Sequence, residues 1–459
     1  MSGYQADTIV ACATPAGRGA IAIVRWSGPG ALAIATRIFV PVRPGPWEPW
    51  RMRLGTVVAA DSVSAIDEAL GVYFPAGRSF TGEDSFELHS HGSPVVVEQI
   101  VAAAIAAGAR AAERGEFTRR AVLSGRLDLL QAEAVADLID AKMAAGARAA
   151  WNQLQGALSE DLGKLRNRLL AVLADIEAEV DFSEDELPDA DFSRRREAIA
   201  AASSDVGRML DGFAASRRGR EGLRVVFSGR PNAGKSSLVN RLLGSGRMIV
   251  SEEPGTTRDV VEEAVELGGV AFVLTDTAGL REAEGLAETA AVARAAEAAR
   301  QADLRVLVID SSIDAAGEDV RLWESLAGPD SIIAWNKADL GRRVPEALRR
   351  RLAGGGCEQI ETSARTGSGC DALASAVVQI ARSKLEGEIG GISRVRHRAS
   401  LERALAPLER AHRLAGEEGA TELVALELRG AIAELASITS ALDNEEVLDR
   451  IFSEFCIGK

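Results

Sequence analysis

The sequence predicts a multidomain α/β and α+β protein. An N-terminal α+β domain is followed by a discontinuous α-helical domain, with a P-loop α/β domain inserted between its halves. Three observations carry this reading. Residues 1–122 alternate short apolar runs with Gly and Pro turns. Residues 123–221 and 384–459 are rich in Ala, Leu, Glu and Arg at helical spacing. Between them, residues 222–383 alternate β-rich apolar runs with helical stretches and open on a glycine-rich loop.

A chain of 459 residues with 47% hydrophobic content has material for about three domains and several buried cores. The first residues, MSGYQADTIVACATP, lack the basic start and apolar core of a signal peptide, and no apolar run approaches the ~20 residues of a membrane span. A cytoplasmic protein with no membrane partner is expected. The four cysteines, Cys12, Cys357, Cys370 and Cys456, form no Cys-x-x-Cys pair and read as reduced thiols. A formal charge of −14 excludes a general nucleic-acid binder, so any RNA contact would use a local patch such as Arg217, Arg218 and Arg220. The same run also reads as a solvated linker.

In the first domain, DTIVACA, GAIAIVRW, GTVVAA, EALGVYF and SFELHSHG are predicted strands. The helical stretch that follows is expected to break near Leu187 and Pro188. In the inserted domain, LRVVFSG, VAFVLTD, LRVLVID and SIIAWNK are predicted strands of a mostly parallel sheet.

Gly229-Arg-Pro-Asn-Ala-Gly-Lys-Ser236 lies between a predicted strand and a predicted helix, the setting a phosphate loop requires. Backbone N–H groups of Asn232, Ala233, Gly234, Lys235, Ser236 and Ser237 would turn onto the phosphates, Lys235 would pair with β- and γ-oxygens, and Ser236 would ligate Mg²⁺. This loop alone permits ATP as readily as GTP.

Asn336-Lys337-Ala338-Asp339 decides between the bases. The Asp339 carboxylate accepts N1–H and the 2-amino group of guanine, whereas adenine would leave it unpaired. Thr362-Ser363-Ala364, after another short strand run, would supply the backbone contact to O6, and Ser363, Ala364 and Arg365 are read as GTP-binding residues. Asp276-Thr277-Ala278-Gly279 ends a strand and would place a carboxylate near Mg²⁺ and an N–H near the γ-phosphate. Thr257, preceded by Ser251, Glu252, Glu253, Pro254, Gly255 and Thr256, would close on Mg²⁺ when the third phosphate is present. The inserted domain therefore reads as a Ras-like G domain. Leu280 stands where many small GTPases carry a water-orienting glutamine, which leaves Glu282, Glu284 and Glu288 as candidates.

The stretches DTIVACATPAGRGAIAIVRWSG, SFTGEDSFELHSHG, RGEFTRRAVLSGRLDLLQAEAVADLIDA, GRPNAGKSSLVNRLL, PGTTRDV, DTAGLRE, NKADL, TSARTG and FCIGK together resemble the MnmE (TrmE) family of tRNA-modification GTPases over nearly the whole chain. The resemblance implies that the N-terminal domain dimerises and binds 5-formyl- or 5,10-methylene-tetrahydrofolate through Arg25, Glu87, Arg126 and Lys459. It implies K⁺-stimulated hydrolysis, with K⁺ at Asn232, Ser251, Glu253 and Thr256, and Glu288 as the catalytic water-orienting residue. It further implies an MnmG-like FAD-dependent partner in a heterotetramer, tRNA as substrate, and an aminomethyl-type group installed at C5 of the wobble uridine. Cys456 reads either as a functional thiol or as an apolar helix-end residue. Two departures stand out: SEEP before Gly255, and TAAVARA after Glu288. The rival function is a ribosome-assembly or signalling GTPase without one-carbon chemistry.

Overall fold

The computed structural model describes residues 7–59, 64–141, 144–181, 192–245, 247–248, 262–276, 302–313, 317–326, 328, 330–352, 357–385, 391–415, 420–440, 445–453 and 455–459. The chain divides into two compact units. One comprises Met1–Ala136, Gln153–Ile199 and Pro407–Lys459, and the other Asp137–Asn152 and Ala200–Ala406. The expected helix break at Leu187 and Pro188 lies outside the described residues.

The first unit holds a seven-stranded sheet formed by β1 (Ile9–Cys12), β2 (Ile21–Ser27), β3 (Phe39–Pro41), β4 (Arg53–Val58), β5 (Ala65–Phe74), β6 (Ser85–His91) and β7 (Arg110–Ala111), in the order β3-β4-β5-β6-β2-β1-β7. The five strands expected from alternation are all present, and β3 and β7 are additions too short to show a pattern. Val24, Trp26, Phe86 and Leu88 point to the core, with the rings of Trp26 and Phe86 stacked at 5.0 Å and Trp47 edge-on to Phe86 at 4.8 Å. A Cβ at Gly71 would stand 2.9 Å from the Phe86 ring, so this strand passes the aromatic cluster only as glycine. On the same two strands the alternate residues Arg25, Glu87 and His89 face the other way.

Helix Ala157–Asp181 carries Leu158, Leu162, Leu165, Leu169, Val172 and Ile176 along one buried stripe, which packs against helix Thr421–Thr439 with its buried Val424, Leu428, Ala431, Leu435 and Ile438. Helix Glu116–Leu123 meets helix Glu445–Ser453, and Val122, Leu129, Ile451, Phe452 and Phe455 share one cluster.

The second unit is built on a seven-stranded sheet of β8 (Leu223–Ser228), β9 (Arg247–Met248), β10 (Glu262–Leu267), β11 (Val270–Asp276), β12 (Leu304–Asp310), β13 (Ser331–Asn336) and β14 (Glu358–Glu361), in the order β14-β13-β12-β8-β11-β10-β9. From β14 to β11 the strands are parallel, while β10 and β9 are antiparallel additions. A two-residue turn, Gly268-Gly269 with φ of 58° and 78°, joins β10 to β11 and pairs Glu262 with Thr275 at the hairpin's open end. Among the described residues no helix is long and apolar enough to cross a membrane. Of the arginine run in helix Phe213–Glu221, Arg218 pairs with Asp303 at 2.7 Å and Arg220 lies 3.6 Å from Asp137, so these two serve local ion pairs.

Candidate functional site

The loop between β8 and helix Lys235–Ser245 follows from its sequence. Gly229 has φ of 151°, where a Cβ would collide with the Val308 carbonyl of neighbouring β12. Asn232 and Gly234 also take left-handed backbone, with φ of 62° and 92°, and a Cβ on Gly234 would run into the Asn336 amide. The loop thus curls back over the helix N-terminus, where the unpaired N–H groups and the helix dipole favour an anion. Lys235 is buried, and its Nζ donates to the carbonyls of Gly229 and Arg230, both at 3.0 Å. Ser236 and Ser237 stand exposed on the first helical turn.

Asn336, at the end of β13 and 1% exposed, ties three loops together. Its Nδ2 donates to the Ala233 carbonyl at 2.8 Å, while its Oδ1 accepts from the Ala364 N–H at 3.2 Å and the Thr362 hydroxyl at 3.4 Å. Lys337 has φ of 59°, and its Nζ donates to Asp310 Oδ2 at 2.6 Å. Burial works to raise the Asp310 carboxyl, but the Lys337 ammonium and the hydroxyl and N–H of Ser312 outweigh it and hold the group below its ordinary range. Asp339 accepts from the Ser363 hydroxyl at 2.6 Å on Oδ1 and from Arg365 Nε at 2.9 Å on Oδ2, and the Ser363 bond, then Arg365, lower its carboxyl. The Ala338 N–H donates to Thr362 O at 3.1 Å, joining the two base-side loops directly.

Asp276 closes β11 opposite Phe227 of β8, one strand over from the phosphate loop. Thr277, Ala278, Gly279, the stretch Ser251, Glu252, Glu253, Pro254, Gly255, Thr256, Thr257, and Glu282, Glu284 and Glu288 lie outside the described residues.

A second constellation sits on the N-terminal sheet. Arg25 of β2 is directly opposite Glu87 of β6, and Arg25 Nε donates to Glu87 Oε1 at 2.7 Å. The guanidinium carbon lies 5.5 Å from the Phe80 ring centroid and 5.9 Å from that of Phe117. His89 Nε2 is buried 3.5 Å from Glu87 Oε2 and has no hydrogen-bond partner. The C-terminal residues run onto the same region. Ile457 bridges to Arg114, the Phe117 N–H donates to Lys459 O at 3.0 Å, and Gly458, φ 95°, would strike the Cys12 carbonyl if it carried a Cβ. Lys459 therefore arrives beside Phe117, which in turn covers Arg25. Arg126 is exposed in the turn after helix Glu116–Leu123, and among the described contacts none joins its side chain to the Arg25–Glu87 pair. Cys456 is exposed.

Phe80, Phe117, His89 and the buried Arg120 escaped the sequence reading. Arg120 meets Asp7 at 2.6 Å, Glu83 at 3.2 Å and Glu116 at 3.0 Å. Asp7 opens the stretch DTIVACATP, and the others lie inside SFTGEDSFELHSHG and RGEFTRR. Polar and aromatic residues interleaved there were the available signal.

The glycine-rich loop at a helix N-terminus, wired by Asn336 to a loop pair that presents Asp339, defines the second unit as the nucleotide-binding domain of a P-loop GTPase. Two family models match the chain: the MnmE helical domain over residues 129–456 and the GTP-binding protein TrmE N-terminus over residues 8–126. The chain belongs to the MnmE family. Curated relatives named tRNA modification GTPase MnmE include that of Heliobacterium modesticaldum, 42% identical over 464 residues and 99% of each chain. Another is that of Symbiobacterium thermophilum, 44% identical over 462 residues and 99% of each chain. A solved structure, the G domain of the T. maritima FeoB iron transporter, is 29% identical, covers 35% of this chain and 98% of its own, and has a TM-score of 0.27.

Proposed function

We propose that this chain is a tRNA modification GTPase that binds GTP between its phosphate loop and the Asn336–Asp339 and Ser363–Arg365 loops, and acts on the wobble uridine of certain tRNAs at C5. The observation that carries the reading is the Asn336 side chain, which fixes the phosphate loop to the base-reading loops in a chain matched end to end by relatives of that name. The proposed domains are residues 1–122 for folate and dimerisation, 123–221 and 384–459 for the helical domain, and 222–383 for the G domain.

Lys235 would exchange its two loop carbonyls for β- and γ-phosphate oxygens. Ser236 on the first helical turn and Thr257 would hold Mg²⁺, which neutralises phosphate charge when bound. Asn232, whose left-handed backbone sets it at the exposed rim of the loop, would hold K⁺ with Ser251, Glu253 and Thr256. Glu288 would orient the attacking water. In this reading hydrolysis drives conformational change, and the one-carbon chemistry takes place elsewhere.

Support for a tetrahydrofolate donor site comes from the N-terminal constellation. A carboxylate, Glu87, suits the amide-like donors of a pterin, and Arg25, Lys459 and Arg126 suit the anionic glutamate tail. Homodimerisation, an FAD-dependent partner of the MnmG kind and a cytoplasmic setting complete the proposal. Two measurements test it. Mass spectrometry of wobble uridines from cells lacking the chain should show the C5-modified nucleoside missing, and an unchanged profile would refute the tRNA assignment. GTP turnover should be faster in KCl than in NaCl, and equal slow rates would remove the K⁺ role.

A further inference from the structure

We infer that Arg365 is an affinity-determining residue of the guanine pocket, pairing with Asp339 and so competing with the incoming base for its carboxylate. This deepens the base-pocket reading above and rests on it. The edge of guanine that a carboxylate reads, N1–H and the 2-amino group on C2, is itself a guanidine fragment, and the Arg365 side chain presents the same fork of donors. Arg365 Nε donates to Asp339 Oδ2 at 2.9 Å, and Nη2 donates to the same oxygen. Oδ1 is held by Ser363 Oγ at 2.6 Å. Oδ2 thus already accepts two donors and Oδ1 one, so guanine can engage both oxygens at once only if Arg365 gives up Oδ2.

Arg365 is the group suited to leave. Its side chain is 73% exposed, while that of Asp339 is 14% exposed beneath it. Ser363 is fully buried and built into its loop: the Ser363 N–H donates to Ser368 O at 2.8 Å, and its hydroxyl accepts from the Thr366 N–H at 3.2 Å. The Gly367 N–H also donates to Ser363 O at 2.8 Å, so the backbone around Arg365 is fixed. Displacement is then a swing of one exposed side chain with no loop rearrangement. A contact that the incoming base must break lowers affinity by the stability of that contact, equally for every ligand that breaks it. For a solvent-exposed ion pair the factor is about 1.5- to 5-fold.

The test is titration of the full-length chain with GDP and with a non-hydrolysable GTP analogue, comparing wild type, Arg365→Ala and Arg365→Lys at low and high salt. Arg365→Ala should tighten both ligands by the same factor, about 1.5- to 5-fold at low ionic strength, with the gain shrinking toward unity near 1 M salt as the pair is screened. Arg365→Lys, which keeps the charge and loses the fork, should fall between. In an Asp339→Asn background, read with xanthosine diphosphate, the gain should vanish. Unchanged or weaker GDP binding by Arg365→Ala, with wild type binding normally, overturns the inference and leaves the pocket intact. Absence of GDP binding by wild type removes the pocket itself and the inference with it.

Discussion

Asn336 Nδ2 reaches across to the Ala233 carbonyl at 2.8 Å, so the residue that opens the base-reading motif is also a strut of the phosphate loop. Its other face accepts the Ala364 N–H. Asn336→Ala should leave the buried Ala233 carbonyl without a partner, at about 1–3 kcal/mol, and free the half-buried Ala364 N–H. That corresponds to roughly 5- to 150-fold weaker GTP binding by calorimetry. Wild-type affinity in the variant would show the strut to be idle.

Arg25 and Glu87 are the corresponding pair on the N-terminal sheet. Both side chains are largely covered, at 23% and 13% exposure, so Arg25→Ala should strand the Glu87 carboxylate. A loss of about 1.5–3 kcal/mol in denaturant unfolding of the first unit is expected, from the value of a charged hydrogen bond. Binding of 5-formyl-tetrahydrofolate should fall about tenfold or more, while GDP affinity stays at the wild-type value. Folate affinity that survives both Arg25→Ala and Glu87→Gln would move the donor site elsewhere.

Acid should loosen the same unit through Asp7 and Glu116. Burial works against their ionised forms, yet Arg110 and Arg120 win and hold both carboxyls below their ordinary values of 3.8 and 4.5. A depressed folded-state value means stabilisation that is complete above the unfolded-state value and lost as pH falls through the folded one. Unfolding free energy measured from pH 7 downward should therefore be flat to about pH 5 and fall below the range of 3.8 to 4.5. In Arg120→Ala the plateau should lie lower and the acid slope should be shallower. A parallel curve, merely displaced, would mean that Arg120 does not set these carboxyls.

Gly458 holds the C-terminal residues against β1. Gly458→Ala combines a left-handed backbone with a collision at the Cys12 carbonyl, about 1–3 kcal/mol or more of strain. The expected result is release of Lys459 from Phe117 and weaker folate binding, with GTP turnover unchanged. Folate affinity at the wild-type value would show that this stretch is held some other way.

Much of this was legible in the sequence because it is local. Gly229 and Gly234, at phosphate-loop spacing between a strand and a helix, declare the left-handed backbone that loop takes, and the alternation in SFELHSHG places Phe86 and Leu88 on one face and Glu87 and His89 on the other before any sheet is seen. What stayed hidden depends on partners far along the chain. Nothing near Arg120 announces Asp7 or Glu83, and nothing in TSARTG announces that Arg365 folds onto Asp339. Strands β3, β7 and β9, of two or three residues, exist only because longer neighbours offer them an edge.

The two-glycine turn between β10 and β11 would, under the proposed function, set a mechanical constraint on nucleotide sensing. Because Glu262 and Thr275 are cross-strand partners, the segment bearing Thr257 and the segment beginning at Asp276 are anchored at adjacent points of one stiff ladder. Under the proposed function the two phosphate-sensing arms would share a single footing, the Glu262–Thr275 pair that ends a ladder of six paired residues.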